Sequence, residues 1–228
     1  MVRNTLLLAA LAVTSVSFAD DFGGGTGGAI PDATVDHVTP GLISSTITPS
    51  TGGMMVTMFN SVTVFGLNHT WGGDVQISLT NGSNTVNLVH RIGSANTGFN
   101  NFGDSSNYGS DGTTGLTGRD YTFVNSGGSD LLAAFVAAGS TVGVAAGTYN
   151  RSEHAFATAP GNTGLDFTVF TGVAADSDWT LEVHDWGGGD TGSFSGWQFN
   201  ADVVPEPGSM AALVIGLGAL AARRRNRK

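Results

Sequence analysis

Val75-Gln76-Ile77-Ser78-Leu79-Thr80 alternates aliphatic and polar side chains without a break. Successive side chains of a strand point to opposite faces, so this run predicts a β-strand that buries Val75, Ile77 and Leu79. Asn81-Gly82, a dipeptide suited to a tight hairpin turn, follows it, and Thr85 to Val89 reads as the return strand. Trp179-Thr180-Leu181-Glu182-Val183-His184 repeats the pattern, with Trp179, Leu181 and Val183 on the face to be buried. Working outward, Leu42 to Thr48, Met55 to Phe65, Tyr121 to Val124, Leu165 to Phe170 and Phe194 to Val203 also read as strands, and in the second of these Met58, Val62 and Val64 are expected on one face. Leu131 to Ala138 reads as a helical turn or more. The polar stretch Gly93 to Gly118, with Phe99, Phe102 and Tyr108 inside it, is a binding surface or a poorly ordered loop. Glycine occurs 35 times and helical periodicity is scarce, so the expected class is an all-β sandwich or barrel.

Both ends carry targeting features. Arg3, an apolar run from Leu6 to Val13 and the small residues up to Ala19 form the three parts of an export signal, with cleavage expected after Ala19. A signal helix over 1–19 is therefore expected, and Asp21 to Gly28 follows as a flexible, Gly-rich leader within 20–28. At the other end Pro205-Glu206-Pro207 precedes an uncharged run from Gly208 to Ala222 and a cluster of five basic residues between Arg223 and Lys228. As a short hydrophobic helix this run would rise only about 22 Å, against roughly 30 Å of hydrocarbon core. Its basic flank belongs on the cytoplasmic side, which leaves the rest of the chain outside.

The order of features over 204–228 resembles the PEP-CTERM sorting signal of bacteria. That resemblance implies recognition by an exosortase, transient anchoring at the membrane, cleavage near Pro205, Glu206 and Pro207, and release to the envelope, cell surface or extracellular matrix. Signal peptidase would act at the opposite end, at Ala19.

Between Asp20 and Pro207 only Arg91, Arg119 and Arg151 are basic, against all eighteen acidic residues of the chain. A surface this acidic repels phosphate backbones and anionic lipid, which argues against nucleic-acid binding and favours divalent or polycationic partners, or plain solubility in a salty exterior. The chain has no cysteine, so an exported fold here is held by its core and not by disulfides.

Several stations along the chain, taken together, resemble the P domain, also called the P/Homo B domain, of kexin-like proprotein convertases and bacterial subtilases. They are Ala29-Ile30-Pro31-Asp32, Ser44-Ser45-Thr46-Ile47, Leu67-Asn68-His69-Thr70-Trp71-Gly72-Gly73-Asp74, Gly147-Thr148-Tyr149, Trp179 to Asp185, Gly189-Asp190-Thr191-Gly192 and Trp197. The resemblance covers 29–203 and implies a jelly-roll β-sandwich of about eight strands. In those proteases the P domain stabilises a neighbouring subtilisin-like domain that carries the chemistry.

No serine, histidine and aspartate set on an α/β scaffold fits between the expected signal cleavage and Ala29. The chain is therefore expected not to be an enzyme, although the family's serine endopeptidase activity is the label such a resemblance would carry. Gly208-Ser209-Met210-Ala211 imitates a subtilase nucleophile turn but opens the apolar tail. His37, His69, His90, His154 and His184 show no close metal-binding pairing, and His69 is expected to make a structural hydrogen bond. Asp176, Asp178, Asp185 and Asp190, beside Gly187-Gly188-Gly189, are either Ca²⁺ ligands or caps of turn amides. Trp71 and Trp186 lie on turns, where they either stack on sugar rings or pack into the fold.

Three functions compete. The first is an exported, non-catalytic module of the envelope or matrix that binds exopolysaccharide or another exported protein. The second is a detached P domain serving a separate subtilase. The third is a hydrolase with an unrecognised site, which loss of turnover on mutating His69 or Asp74 would reveal.

Overall fold

The computed structural model describes residues 17–35, 38–92, 105–112, 115–152 and 165–225. Two antiparallel-rich sheets face one another. The larger contains β1 (Phe18–Ile30), β3 (Met54–His69), β8 (Arg119–Val124), β9 (Gly147–Asn150) and β11 (Gly192–Pro205), in the order β1-β11-β3-β8-β9. The smaller contains β2 (Gly41–Ile47), β4 (Val75–Asn81), β5 (Asn84–His90) and β10 (Trp179–Asp185), in the order β2-β10-β4-β5. A small hairpin of β6 (Ser110–Gly112) and β7 (Gly115–Thr117) lies apart. The all-β sandwich expected from the sequence is thus present, with nine strands in the two main sheets among the described residues.

The alternating runs bury the residues they should. Val75, Ile77 and Leu79 of β4, and Trp179, Leu181 and Val183 of β10, are completely buried. The two strands pair in register, Leu181 opposite Leu79 and Val183 opposite Ile77, so their apolar faces form one continuous surface. The hairpin between β4 and β5 closes through Gly82, whose φ of 59° is the left-handed conformation that the first position of a primed turn requires. Across the core, Trp179 lies 4.7 Å from Phe199 of β11 and 5.0 Å from Phe170, and Phe59 of β3 lies 5.3 Å from Phe199. These rings join the two sheets, and truncating one of them to alanine is expected to cost about 3–5 kcal/mol.

Four features depart from the sequence reading. Asp21 to Gly28, expected as a flexible leader, lies inside β1, which pairs with β11 from Phe18 opposite Val203 to Ile30 opposite Gly192. Two of its glycines stand where the strand runs hard against its neighbour. A Cβ on Gly25 would lie 2.0 Å from Trp197 Nε1, and one on Gly27 would lie 2.0 Å from the Phe194 carbonyl oxygen.

Met58 is exposed, and Phe59 takes the inward position in its place. The register of β3 against β11 shifts between Asn200 and Ala201, and that bulge inverts the alternation below Ser61. Leu165 to Phe170, expected as a strand, contains a 3-10 turn over Phe167–Phe170, capped by Asp166, whose carboxylate accepts from the Thr168 amide. The helical turn expected from Leu131 extends to Val142 as α1 (Leu131–Val142), started by the Asp130 side chain and ended at Gly143 with φ 69°. It carries the crossover between the parallel strands β8 and β9.

Of the signal helix expected over 1–19, residues 1–16 lie outside the described residues, as do 93–104 and 113–114 of the polar loop, and Phe18 and Ala19 belong to strand β1 instead. Tyr108, from the same loop, is fully buried and bridges to His69. A C-terminal helix, α2 (Pro207–Arg225), follows β11 after a single residue, Glu206.

Candidate functional site

One end of the sandwich gathers most of the buried polar chemistry. β3 ends at His69, the 3-10 turn Gly72–Asp74 leads into β4, and β10 ends at Asp185 beside Val75. The Trp186 amide donates to the Asp74 carbonyl at 3.0 Å, which ties the two turns together. His69 Nε2 lies 3.1 Å from Asp185 Oδ2, and both side chains are wholly buried. His69 Nδ1 is 3.2 Å from the Trp71 amide and 3.0 Å from the Trp71 carbonyl oxygen. Because a carboxylate only accepts, Nε2 carries a proton in either state of the ring. Nδ1 then accepts from the Trp71 N–H when the ring is neutral and donates to the Trp71 carbonyl when it is charged. Both ring nitrogens are therefore engaged.

Beside this pair, Arg91 holds Asp74: its Nη2 lies 3.4 Å from Asp74 Oδ1, and its guanidinium sits 5.9 Å from the centre of the Trp186 ring. Arg91 adopts φ 45°, uncommon for a side-chain-bearing residue, and its amide donates to the Val75 carbonyl. Asp74 Oδ2 is buried with no hydrogen-bond partner among the described residues, and a Cβ on Gly187 would lie 2.1 Å from it. Burial pushes the Asp74 carboxyl up to about 6; Arg91 pulls it back and the charge of Asp185 pushes it further up. Burial, aided by the charge of Arg91, pushes His90 down to about 4. Trp186 is buried and donates from Nε1 to Gln76 Oε1 at 3.0 Å, so it packs and is not open for stacking; Trp71 is half-buried.

The four aspartates singled out for Ca²⁺ do not meet. Asp176 and Asp178 precede β10, where they accept from the Gly53 amide at 3.0 Å and from the Thr48 hydroxyl at 2.6 Å. Asp185 ends the strand and Asp190 follows it, with Asp185 Oδ1 accepting from the Gly187 amide and Asp190 Oδ1 from the Thr70 hydroxyl. The seven residues of β10 put roughly 20 Å between the pairs. Among the described residues no three His, Asp or Glu side chains converge on one point that would hold a metal ion. Sequence spacing did not single out Arg91 or Asp32, whose carboxylate accepts from the Gly189 amide at 2.9 Å. The one available signal was that Arg91 is among only three basic residues in the acidic domain.

The two processing segments lie together at one end of the larger sheet. Phe18 pairs with Val203 and Ala19 with Asp202, while β11 stays paired through Pro205, opposite Met54. Glu206, exposed, is the single residue between the last ladder position and α2. Residues 203–225 match the PEP-CTERM protein-sorting motif. That motif marks proteins exported and sorted to the cell envelope or surface by exosortase-dependent processing, and it sets the destination of this chain. The PEP-CTERM segment begins in the last three residues of β11, so the sorting tail is continuous with the central strand pair of the larger sheet. Among the described residues no helix is long and apolar enough to cross a membrane, and Leu213, Ile215, Leu217 and Leu220 of α2 are exposed. No curated protein matches the chain.

Proposed function

We propose that the protein is a non-catalytic module of the cell envelope or matrix, delivered through its PEP-CTERM tail, that binds exported polysaccharide. The observation that carries this reading is the closure of the buried polar cluster. His69 spends both ring nitrogens on Trp71 and Asp185, and Asp74, bound through Oδ1 to Arg91, is wholly buried, so neither reaches a substrate to activate a nucleophile. Polar side chains open to a hydroxylated ligand occur instead in a cleft beside β3, lined by Asn60, Asn125 and Thr168. Retention of the purified protein on immobilised exopolysaccharide from the cells that make it tests the reading; passage through the column without retention removes it.

A second reading has its own support. Asp32, His69, Thr70, Asp74, Asp185 and Asp190, which carry the resemblance to the P domain and its jelly-roll, all fall at one end of the sandwich. A detached P domain would use such an end against a separate subtilase. Co-purification with a subtilase that lacks its own P domain favours this second reading over the first. Ca²⁺ held by either aspartate pair is a separate proposal: a melting midpoint that rises with Ca²⁺ and loses the rise in Asp190→Asn or Asp176→Asn supports it, and identical midpoints in EDTA and Ca²⁺ remove it.

A further inference from the structure

A cleft of about 270 Å³ opens between β3, the end of β8 and the 3-10 turn Phe167–Phe170, at the opposite side of the larger sheet from β1. Met58 and Val124 supply its accessible apolar lining, the rings of Phe59 and Phe167 being buried, and Asn60, Asn125 and Thr168 supply its polar groups. Its volume is below the roughly 300–1,000 Å³ typical of clefts for drug-sized molecules, which suits a single ring.

The two asparagines are fixed in opposite senses. Asn60 donates from Nδ2 to Asn200 Oδ1 at 2.8 Å and to Asp202 Oδ1 at 3.0 Å, and Asn200 donates in turn to Asp21 Oδ1 at 2.7 Å. This chain of side chains crosses β3, β11 and β1 and uses both N–H groups of Asn60, leaving its carbonyl oxygen as an acceptor. Asn125 is the converse. Its Oδ1 accepts from the Phe167 amide at 3.2 Å and from Arg151 Nε at 2.9 Å, leaving the Nδ2 group as a donor. One free acceptor and one free donor, each held by its other contacts, match a pair of hydroxyl groups, each of which both donates and accepts. The apolar wall matches the C–H face of a sugar ring.

Charge selects among sugars. Arg151 is the nearest base, and it is already bonded to Asn125 and to the Asn87 carbonyl at 3.3 Å. Asp202 stands on Asn60 and Asp166 on Thr168, so carboxylates flank the cleft and repel an acidic sugar. We propose that this cleft binds one neutral pyranose unit of an exported polysaccharide. The proposal rests on the glycan-binding reading and adds to it the place and the class of sugar.

The test uses the full exported protein on three immobilised supports: a neutral glucan, a neutral galactan and a polyuronate. Asn125→Asp keeps the acceptors for Phe167 and Arg151 and replaces the donor with a second oxygen; Thr171→Trp fills the cleft from its exposed rim. Binding to a neutral polymer that weakens about tenfold or more in Asn125→Asp, with an unchanged melting midpoint, and that also falls in Thr171→Trp, is the expected result. Undiminished binding in Asn125→Asp overturns the cleft while leaving glycan binding in place. Preference for the polyuronate overturns the neutral class, and no retention on any support overturns the cleft together with the reading beneath it.

Discussion

His69 and Asp185 lie 116 residues apart in the chain, yet their side chains meet at 3.1 Å with no solvent on either. The pair joins the end of β3 in the larger sheet to the end of β10 in the smaller one, so it fastens the two layers at the end where the buried charges are gathered. Removing one partner leaves a buried, unpaired group, a cost of about 3–5 kcal/mol. Asp185→Ala is therefore expected to lose about that much stability in urea unfolding. A loss below about 1 kcal/mol would mean that the pair is not a fastening at all.

Stability should respond to acid through two opposed groups. Asp74 has a raised carboxyl, so its contribution is fully present below its ordinary value of 3.8 and is lost as pH rises through about 6. His90 has a lowered imidazole, so its contribution is present above 6.5 and is lost as pH falls through about 4. Between pH 4 and 6 the two slopes oppose each other. Replacing Asp74→Asn removes the first, and the stability of the wild type relative to this variant should grow as pH falls from 6 to 4. Unfolding curves for both proteins across that window check the sign, and a difference independent of pH contradicts it.

The glycines of β1 give a sharp contrast between a strand and a leader. Gly25→Ala would put a Cβ 2.0 Å from the Trp197 indole nitrogen, which forces a shift worth about 1–3 kcal/mol. Gly24→Ala meets no atom within 4 Å, and its cost comes from φ 102° alone. Thermal melts of the two variants separate packing from backbone strain. A flexible leader would tolerate Gly25→Ala without change.

These contrasts follow from what a single sequence can and cannot express. Val75, Ile77 and Leu79, and likewise Trp179, Leu181 and Val183, betray their strands because burial on one face is written as alternation. In β1, Gly23, Gly24, Gly25, Gly27 and Gly28 have no side chain to alternate, so the strand is invisible to periodicity and its composition imitates a linker. Leu165 to Phe170 is apolar enough to be buried, and both a strand and a 3-10 turn bury it. Met58 and Phe59 exchange faces through a bulge, which depends on the partner strand β11 and not on β3 alone. The candidate site was legible only in part. His69, Asp74 and Asp185 stood out by their motifs, but Arg91 joins them through topology. The carboxylates grouped by proximity in sequence, Asp176, Asp178, Asp185 and Asp190, are separated by the very strand that lies between them.

The sorting tail was legible in full because its signal is linear, and its structural setting adds a constraint. Pro205 is still paired with Met54, whereas Glu206 has left the ladder and is exposed. Cleavage on the C-terminal side of Pro205 spares every paired residue of β11, and cleavage after Ala19 keeps β1 from Asp20 onward. Truncation at Asn200 would remove the ladder from Ala201 to Pro205 and should abolish the cooperative melt, while truncation after Pro205 should leave the midpoint within about 2 °C.

The most direct measurement is the intact mass of the protein recovered outside the cell, from cells with and without a working exosortase. The mass expected corresponds to a chain that begins at Asp20 and ends between Pro205 and Pro207, present only when the exosortase works. A released form that retains the arginine cluster after Ala222, or an identical released form in cells lacking the exosortase, would contradict the account.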